Sequence, residues 1–94
     1  MTYNYSIYQA DIHAPYVFMS YNFALEHGFN LEDYKRVWTG TIEAKNLVAA
    51  LEGLFTMFNV NHPSGYTGRS LSVSDIVCVN GKHYYTEGIF YTRI

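Results

Sequence analysis

The chain has 94 residues, a formal net charge of −2 and 49% hydrophobic residues. That length suits a single domain spanning residues 1–94, and the hydrophobic share excludes a disordered chain. Six basic residues are scattered through the sequence and form no cationic stretch, which argues against direct binding of DNA or RNA.

Tyrosine is unusually common, with ten copies among aromatic residues that make up 18% of the chain. A tyrosine side chain combines apolar area with a hydroxyl, so a surplus is typical of protein interfaces and of pockets that stack a ligand. A small β-rich domain with tyrosines on half-exposed sheet faces has the same composition. Composition alone leaves both interpretations open.

The single cysteine, Cys78, excludes an internal disulfide and favours a reducing cytoplasm. It lies in an apolar run that predicts a buried strand, where a thiol has a structural role. Met1 is followed by polar and aromatic residues rather than by a signal peptide. No apolar run approaches the roughly 20 residues needed to cross a bilayer. The sequence predicts a cytoplasmic protein without a membrane partner.

The chain begins with a predicted strand and helix. Residues 2–9 alternate tyrosines with polar positions, which is the period of a strand. Pro15 suits the first position of a helix that ends at Gly28, with apolar residues between them at helical spacing. A shorter helix that begins near Ser20 is the alternative.

A polar turn at residues 30–33 leads to a second predicted strand at 34–42. Gly40 inside that strand indicates either a bulge or a close approach of the backbone to a neighbour. The clearest predicted helix covers residues 44–58, and we expect Gly53 to allow close packing of this helix on a strand. Its apolar stripe consists of Leu47, Val48, Leu51, Leu54, Phe55 and Phe58.

The rest of the chain predicts a polar loop over residues 59–70 and three strands. Asn80-Gly81 predicts a type I′ hairpin turn between strands at 76–79 and 83–86, and a last strand follows at 89–94. Consecutive strands at this end imply antiparallel pairing. The predicted fold is therefore α+β, with a mostly antiparallel sheet of about five strands and two helices in the order β-α-β-α-β-β-β.

The polar segment between the second helix and the third strand is the candidate functional surface, because binding residues concentrate on loops held by a scaffold. Its arginine and serines suit an anion, and they equally suit hydrogen bonds within the loop. His62 and Asp75 are the one candidate acid–base pair, although no catalytic motif, cofactor motif or metal-ligand spacing accompanies them. The predicted binding residues are His62, Tyr66, Arg69, Ser70, Ser72, Ser74, Asp75, Tyr84 and Tyr85.

Several blocks of the sequence resemble the YodL-like domain family. They are Tyr5-x-Ile7-Tyr8-Gln9, Phe58-Asn59-x-Asn61-His62-Pro63, Gly68-x-Ser70-Leu71-Ser72-Val73-Ser74-Asp75-Ile76-Val77, Asn80-Gly81-Lys82 and Tyr84-Tyr85. The resemblance covers nearly the whole chain and departs from the family pattern at residues 86–90, after the paired tyrosines.

The resemblance implies a context rather than a reaction, because the family resembles components of phages and conjugative elements of Gram-positive bacteria. We therefore expect a non-catalytic protein that binds and inhibits a host defence component, such as a CRISPR effector. A binder that sequesters a nucleotide-like immune signal is the alternative, and an enzyme that uses His62 and Asp75 is the third hypothesis. Oligomeric state is left open, with a homodimer as one candidate.

Overall fold

The computed structural model describes residues 1–88 and 90–94. The strands are β1 (Thr2–Ala10), β2 (Tyr34–Glu43), β3 (Ile76–Val79), β4 (Lys82–Thr86) and β5 (Tyr91–Arg93), and the helices are α1 (Tyr21–Glu26) and α2 (Leu47–Val60). A single 3₁₀ turn at Leu31–Asp33 precedes β2. The predicted α+β class and the predicted order of elements are confirmed.

The five strands form one antiparallel sheet in the order β2-β1-β3-β4-β5. β1 lies inside this sheet and pairs with β2 on one side and with β3 on the other. A register shift between Ile7 and Tyr8 marks a bulge in the pairing of β1 with β2. This arrangement leaves β2 and β5 as the two edge strands.

Each face of the sheet buries its own hydrophobic cluster. On one face, Tyr5 and Ile7 of β1 pack with Leu54 and Phe58 of α2. On the other face, Tyr85 of β4 packs with residues of the α1 region, of which Tyr16 and Ala24 are completely buried. The period of two along β1 places alternate side chains in the two clusters.

Helix α1 is the shorter of the two predicted alternatives. Ser20 caps it, because the Ser20 side chain accepts a hydrogen bond from the Phe23 amide. Phe18 has a backbone φ of 67°, which no right-handed helix allows. The predicted start at Pro15 is therefore wrong, while the end is confirmed by the left-handed Gly28, with a φ of 83°.

Helix α2 begins at Leu47, three residues after the predicted start, because the Asn46 side chain caps it with a 2.8 Å bond from the Ala49 amide. Val48 is 63% exposed and does not belong to the buried stripe, contrary to the prediction. Gly53 does face a strand, since a Cβ added there lies 3.2 Å from Cδ1 of Ile42 in β2. The predicted close packing is confirmed.

Two glycines fix the geometry of the strands. A Cβ on Gly40 would lie 3.0 Å from the Tyr5 hydroxyl oxygen. Of the two predicted roles, Gly40 therefore allows the close approach of a neighbouring side chain and does not mark the bulge. Asn80 and Gly81 have φ values of 48° and 84°, which confirms the type I′ hairpin. Of the predicted last strand at 89–94, the structure forms Tyr91–Arg93, and Ile89 lies outside the described residues.

None of the ten tyrosines is exposed. Five are buried and five are half-buried, so tyrosine supplies little of the outer surface. Five of their hydroxyls donate to main-chain carbonyls: Tyr16 to Asn30, Tyr34 to Ser74, Tyr66 to Arg69, Tyr85 to Met19 and Tyr91 to Leu51. Tyrosine therefore fastens loops and helix ends to the core, a use that neither interpretation of the composition predicted.

Removal of one such hydroxyl tests this role. We expect Tyr85→Phe to lower the free energy of unfolding by about 1 kcal/mol, because the bond to the Met19 carbonyl is lost. In a domain of this size that loss lowers the Tm by roughly 4–8 °C, as measured by calorimetry. Tyr84→Phe is the matched control, because it removes the hydroxyl of the neighbouring buried tyrosine of β4 and leaves the bond from Tyr85 to Met19 in place. Equal Tm values for the two variants would contradict the role.

Candidate functional site

The polar loop after α2 is held against that helix by its own apolar side chains. The Tyr66 ring packs edge-on against the Phe58 ring, with 4.9 Å between centroids. Leu71 is buried in the same cluster, and its amide donates to the Phe58 carbonyl over 3.4 Å. Nε2 of His62 lies 2.6 Å from the same carbonyl oxygen. Tyr66 and Leu71 therefore pack on α2 and anchor the loop.

Asp75 is the buried centre of this region, with no solvent exposure. Its Oδ2 accepts hydrogen bonds from the Ser72 amide at 2.8 Å and from Nε2 of Gln9 at 3.2 Å. Both main-chain groups of Asp75 are also hydrogen-bonded. Its amide donates to the Ser72 carbonyl, and its carbonyl accepts from the Thr86 amide. Asp75 thus connects β1, the loop and β4.

The charge of Asp75 is only partly compensated. Nη2 of Arg69 lies 3.9 Å from Oδ1, beyond hydrogen-bond distance, and Oδ1 has no partner within the described residues. Burial is the main cause that raises the pKa of Asp75 to about 7, against the lowering effect of the Ser72 amide, Gln9 and Arg69. Asp75 therefore changes its charge near neutral pH.

Arg69 acts as a brace between the loop and β1. Its Nη2 donates to the Ala10 carbonyl at 3.1 Å, and its amide donates to Oε1 of Gln9 at 3.1 Å. The Arg69 carbonyl accepts from Gln9 Nε2 and from the Tyr66 hydroxyl. About a third of the Arg69 side chain, 35%, stays exposed.

Phe18 lies next to Arg69 in a strained backbone. Phe18 and Ser74 are both left-handed, with φ values of 67° and 83°, and the Phe18 amide donates to the Ser74 hydroxyl at 2.9 Å. Ser74 is held in turn by the Tyr34 hydroxyl, which donates to its carbonyl at 2.6 Å. The guanidinium carbon of Arg69 lies 5.6 Å from the centre of the Phe18 ring. The ring is nevertheless 47% exposed.

The predicted binding residues separate into an accessible and an inaccessible group. Tyr84 is 7% exposed, whereas Ser74, Asp75 and Tyr85 are completely buried, so these four offer almost no surface to a partner. His62 and Ser70 are exposed, and Tyr66, Arg69 and Ser72 are half-buried.

The serines do not converge on Arg69 as an anion site requires. The Ser72 hydroxyl donates to the Ser70 carbonyl at 3.0 Å, and the Ser74 hydroxyl accepts from Phe18. Their contacts satisfy loop backbone groups, as the structural interpretation of the segment predicted. Phe18 was not among the predicted binding residues, because its spacing assigned it to a helix and no sequence signal indicates a left-handed conformation at a phenylalanine.

A shallow groove of about 540 Å³ extends from Arg69 across the start of β2. Arg69 and Gln9 line it, together with Asp11, His13, Glu32 and Lys35. Ile12, half exposed, adds apolar area at the rim. Arg69 therefore joins a polar groove to an exposed aromatic ring.

The arrangement that general acid–base chemistry requires of His62 and Asp75 is not formed. Nε2 of His62 contacts the Phe58 carbonyl and, at 3.4 Å, the Ser70 hydroxyl, while Asp75 is occupied by Ser72 and Gln9. Within residues 1–88 and 90–94, no three His, Cys, Asp or Glu side chains cluster closely enough to hold a metal ion. No helix among these residues is long and apolar enough to cross a bilayer.

The family model described as the YodL-like domain matches residues 4–94. The chain belongs to the YodL-like domain family. The match spans both helices and nearly the whole sheet, and the matched range contains Asp75 and the loop that surrounds it. No curated protein and no solved structure matches the chain.

The raised pKa of Asp75 makes stability depend on pH. The folded state binds a proton with a pKa of about 7, against an ordinary value of 3.8, so protonation stabilises the fold. The contribution is complete below about pH 4 and is lost as the pH rises through 7. We expect each unit of acidification between pH 7 and pH 5 to raise the free energy of unfolding by up to about 1.4 kcal/mol.

Urea unfolding at several pH values measures this dependence, with Asp75→Asn as the matched variant. Asparagine retains an acceptor for Ser72 and Gln9 but does not titrate. The difference in unfolding free energy between wild type and variant should change between pH 5 and pH 7 and stay constant above pH 8. A difference that is constant over the whole range would contradict the raised pKa.

Proposed function

We propose that this protein is a non-catalytic component of a phage or another mobile element that acts in the host cytoplasm. In this proposal it binds a host defence protein, such as a CRISPR effector, and inhibits it. Membership of the YodL-like domain family supports the mobile-element context through the resemblance described above. The binding surface is formed by Phe18, Arg69 and the adjoining groove.

The observation that carries this proposal is the conformation of Phe18. A left-handed backbone costs a bulky residue roughly 1–2 kcal/mol, and such strain concentrates at ligand clamps and switch regions. Here the strained residue is an aromatic ring that is 47% exposed. The fold is therefore less stable than it would be with a relaxed backbone here, and it exposes an apolar side chain to solvent. This combination favours a partner that covers the ring.

The backbone beneath Phe18 is held by hydrogen bonds. Its amide is fixed by Ser74, Ser74 is fixed by Tyr34, and the guanidinium of Arg69 stacks beside the ring. An aromatic residue next to an arginine on a preformed scaffold is the composition of an interface hot spot, because both bury large area with little loss of conformational freedom. This pair of side chains suits contact with a protein surface better than it suits catalysis.

Phe18→Gly is the sharpest test of this surface. Glycine accepts the positive φ without strain, and this relief offsets the packing lost with the half-buried ring and the greater freedom of the unfolded chain, so we expect only a small change in Tm while the ring is removed. Co-expression with CRISPR nucleases and other immune systems, followed by phage or plasmid challenge, should then show that protection is lost. Recovery of the target protein in a pull-down should fall at least tenfold.

Phe90→Ala provides the matched control, because Phe90 is a similarly exposed phenylalanine, 57% accessible, that borders a different depression beside Leu47 and Leu51. This variant should retain protection and partner recovery. Loss of both activities in both variants would indicate a general effect on the fold, and full activity of Phe18→Gly would refute the proposed surface.

Sequestration of a nucleotide-like immune signal is the second candidate function. The groove favours it, because Arg69, His13 and Lys35 line the same depression as the Tyr34 ring. Two facts weigh against it: the Arg69 guanidinium already binds Ala10, and three carboxylates, those of Asp11, Glu32 and Asp33, border the same space. A phosphate would meet like charge there.

A thermal-shift panel of cyclic dinucleotides and ADP-ribose derivatives separates the two functions. A ligand present at 100 times its Kd should add about 2.7 kcal/mol of stability and raise the Tm by more than about 10 °C. Lys35→Ala should reduce that shift. Unchanged melting across the panel, together with protection that depends on Phe18, would leave protein binding as the function.

A further inference from the structure

The outer edge of β2 presents a long row of unpaired main-chain groups. β2 is the first strand of the sheet order and ten residues long, and among the described residues its only strand partner is β1. Its middle, residues 37–42, is the uncharged and proline-free run Val-Trp-Thr-Gly-Thr-Ile. Edges of this kind pair with another strand unless they are protected.

The hydrogen bonds of β1 show which groups of β2 point outward. The carbonyl of Asn4 accepts from the Asn80 amide and its own amide donates to the Asn80 side chain, so Asn4 faces β3. Main-chain groups alternate in direction along a strand, so Tyr5 faces β2. Its partner there is Gly40. Gly40 therefore faces β1, and the neighbouring Thr39 and Thr41 direct their N–H and C=O groups outward.

We propose that this edge pairs with the same edge of a second copy of the chain, antiparallel and centred on Gly40. Thr39 of each copy then lies opposite Thr41 of the other, and both present outward groups, as a hydrogen-bonded pair requires. The two glycines at the dyad oppose each other without side chains. One continuous ten-stranded sheet results.

The side chains complement one another in this register. Trp38 and Ile42 pair with buried residues of β1, Ile7 and Tyr3, so both lie on the α2 face and become cross-strand neighbours. Aromatic pairs with β-branched residues stabilise antiparallel strands, as do pairs of threonines such as Thr39 with Thr41 on the other face.

The charges at the ends of β2 select the antiparallel direction. Lys35 and Arg36 occupy the beginning of the strand and Glu43 its end. In the antiparallel register centred on Gly40, Glu43 of one copy lies opposite Val37 and diagonal to Arg36 of the other, twice, while Lys35 comes opposite Lys45 beyond the end of the strand. Glu43 remains 73% exposed beside the Met1 amine, so its carboxylate is accessible to a second copy. A parallel arrangement would place like charges together.

Analytical ultracentrifugation of the protein alone tests the dimer, so its outcome is independent of any host target. We expect a reversible dimer in wild type, and at least a tenfold weaker association in Thr41→Pro, which removes an outward N–H that makes no bond inside the monomer. Thr41→Ser is the matched control, because it keeps both the amide and the hydroxyl and should keep the dimer. Circular dichroism establishes that each variant is folded.

Hydrogen exchange gives a second measurement on wild type that needs no substitution. The amides of Thr39 and Thr41 should become more protected as the protein concentration rises, while that of Gly40 should not change. A protein that stays monomeric at concentrations up to about 1 mM would overturn the proposal, because even a weak specific dimer with a Kd near 1 mM would be detected at that concentration. A dimer that persists in folded Thr41→Pro, or concentration-independent exchange at both threonines, would overturn it equally.

Discussion

The buried carboxylate of Asp75 is the constraint around which this fold is arranged. A carboxylate removed from water requires hydrogen-bond donors, and here they come from β1 through Gln9 and from the loop through Ser72. Main-chain bonds of the same residue reach β4 through Thr86. Three separate parts of the chain therefore have to assemble before Oδ2 and the main-chain groups of Asp75 are hydrogen-bonded, which favours one register over its alternatives.

Tyrosine hydroxyls supply further buried hydrogen bonds between distant parts of the chain, away from Asp75. Burial raises the pKa of Tyr16 and Tyr66 to about 12, so these hydroxyls remain donors throughout the physiological range. The Tyr66 hydroxyl fixes the Arg69 carbonyl, and the Tyr34 hydroxyl fixes the Ser74 carbonyl. Small domains bury little area for their length, and bonds of this kind give long connections a defined path without disulfides.

The candidate binding surface is positioned by these buried hydrogen bonds, although its own side chains lie outside the core. Ser74 is held by Tyr34 and in turn holds Phe18, while Arg69 is positioned by Gln9 and by the Ala10 carbonyl. The exposed ring of Phe18 is thus the outermost member of a chain of contacts that begins in the core. A surface supported in this way changes little on binding, which reduces the entropy lost on association.

Local sequence patterns determined the elements of this protein. Alternation in β1, the turn residues Asn80 and Gly81 and the apolar face of α2 each specify their structure through neighbours in the chain, and the family pattern identified the domain. The helix starts were predicted less well, because capping by Ser20 and Asn46 overrode the apolar spacing that continued beyond them.

Only the tertiary structure decided which polar residues are accessible. Within residues 70–75 every second residue is polar up to Ser74, and Asp75 follows, so the sequence does not distinguish these polar residues from one another, yet Ser70 is exposed and Asp75 is sealed from solvent. That difference arises from Gln9, Tyr34 and Thr86, which are distant in the chain and donate to this segment or accept from it. Phe18 became a surface residue for the same reason: its left-handed backbone is stabilised by Ser74, 56 positions away, and no local pattern records such a partner.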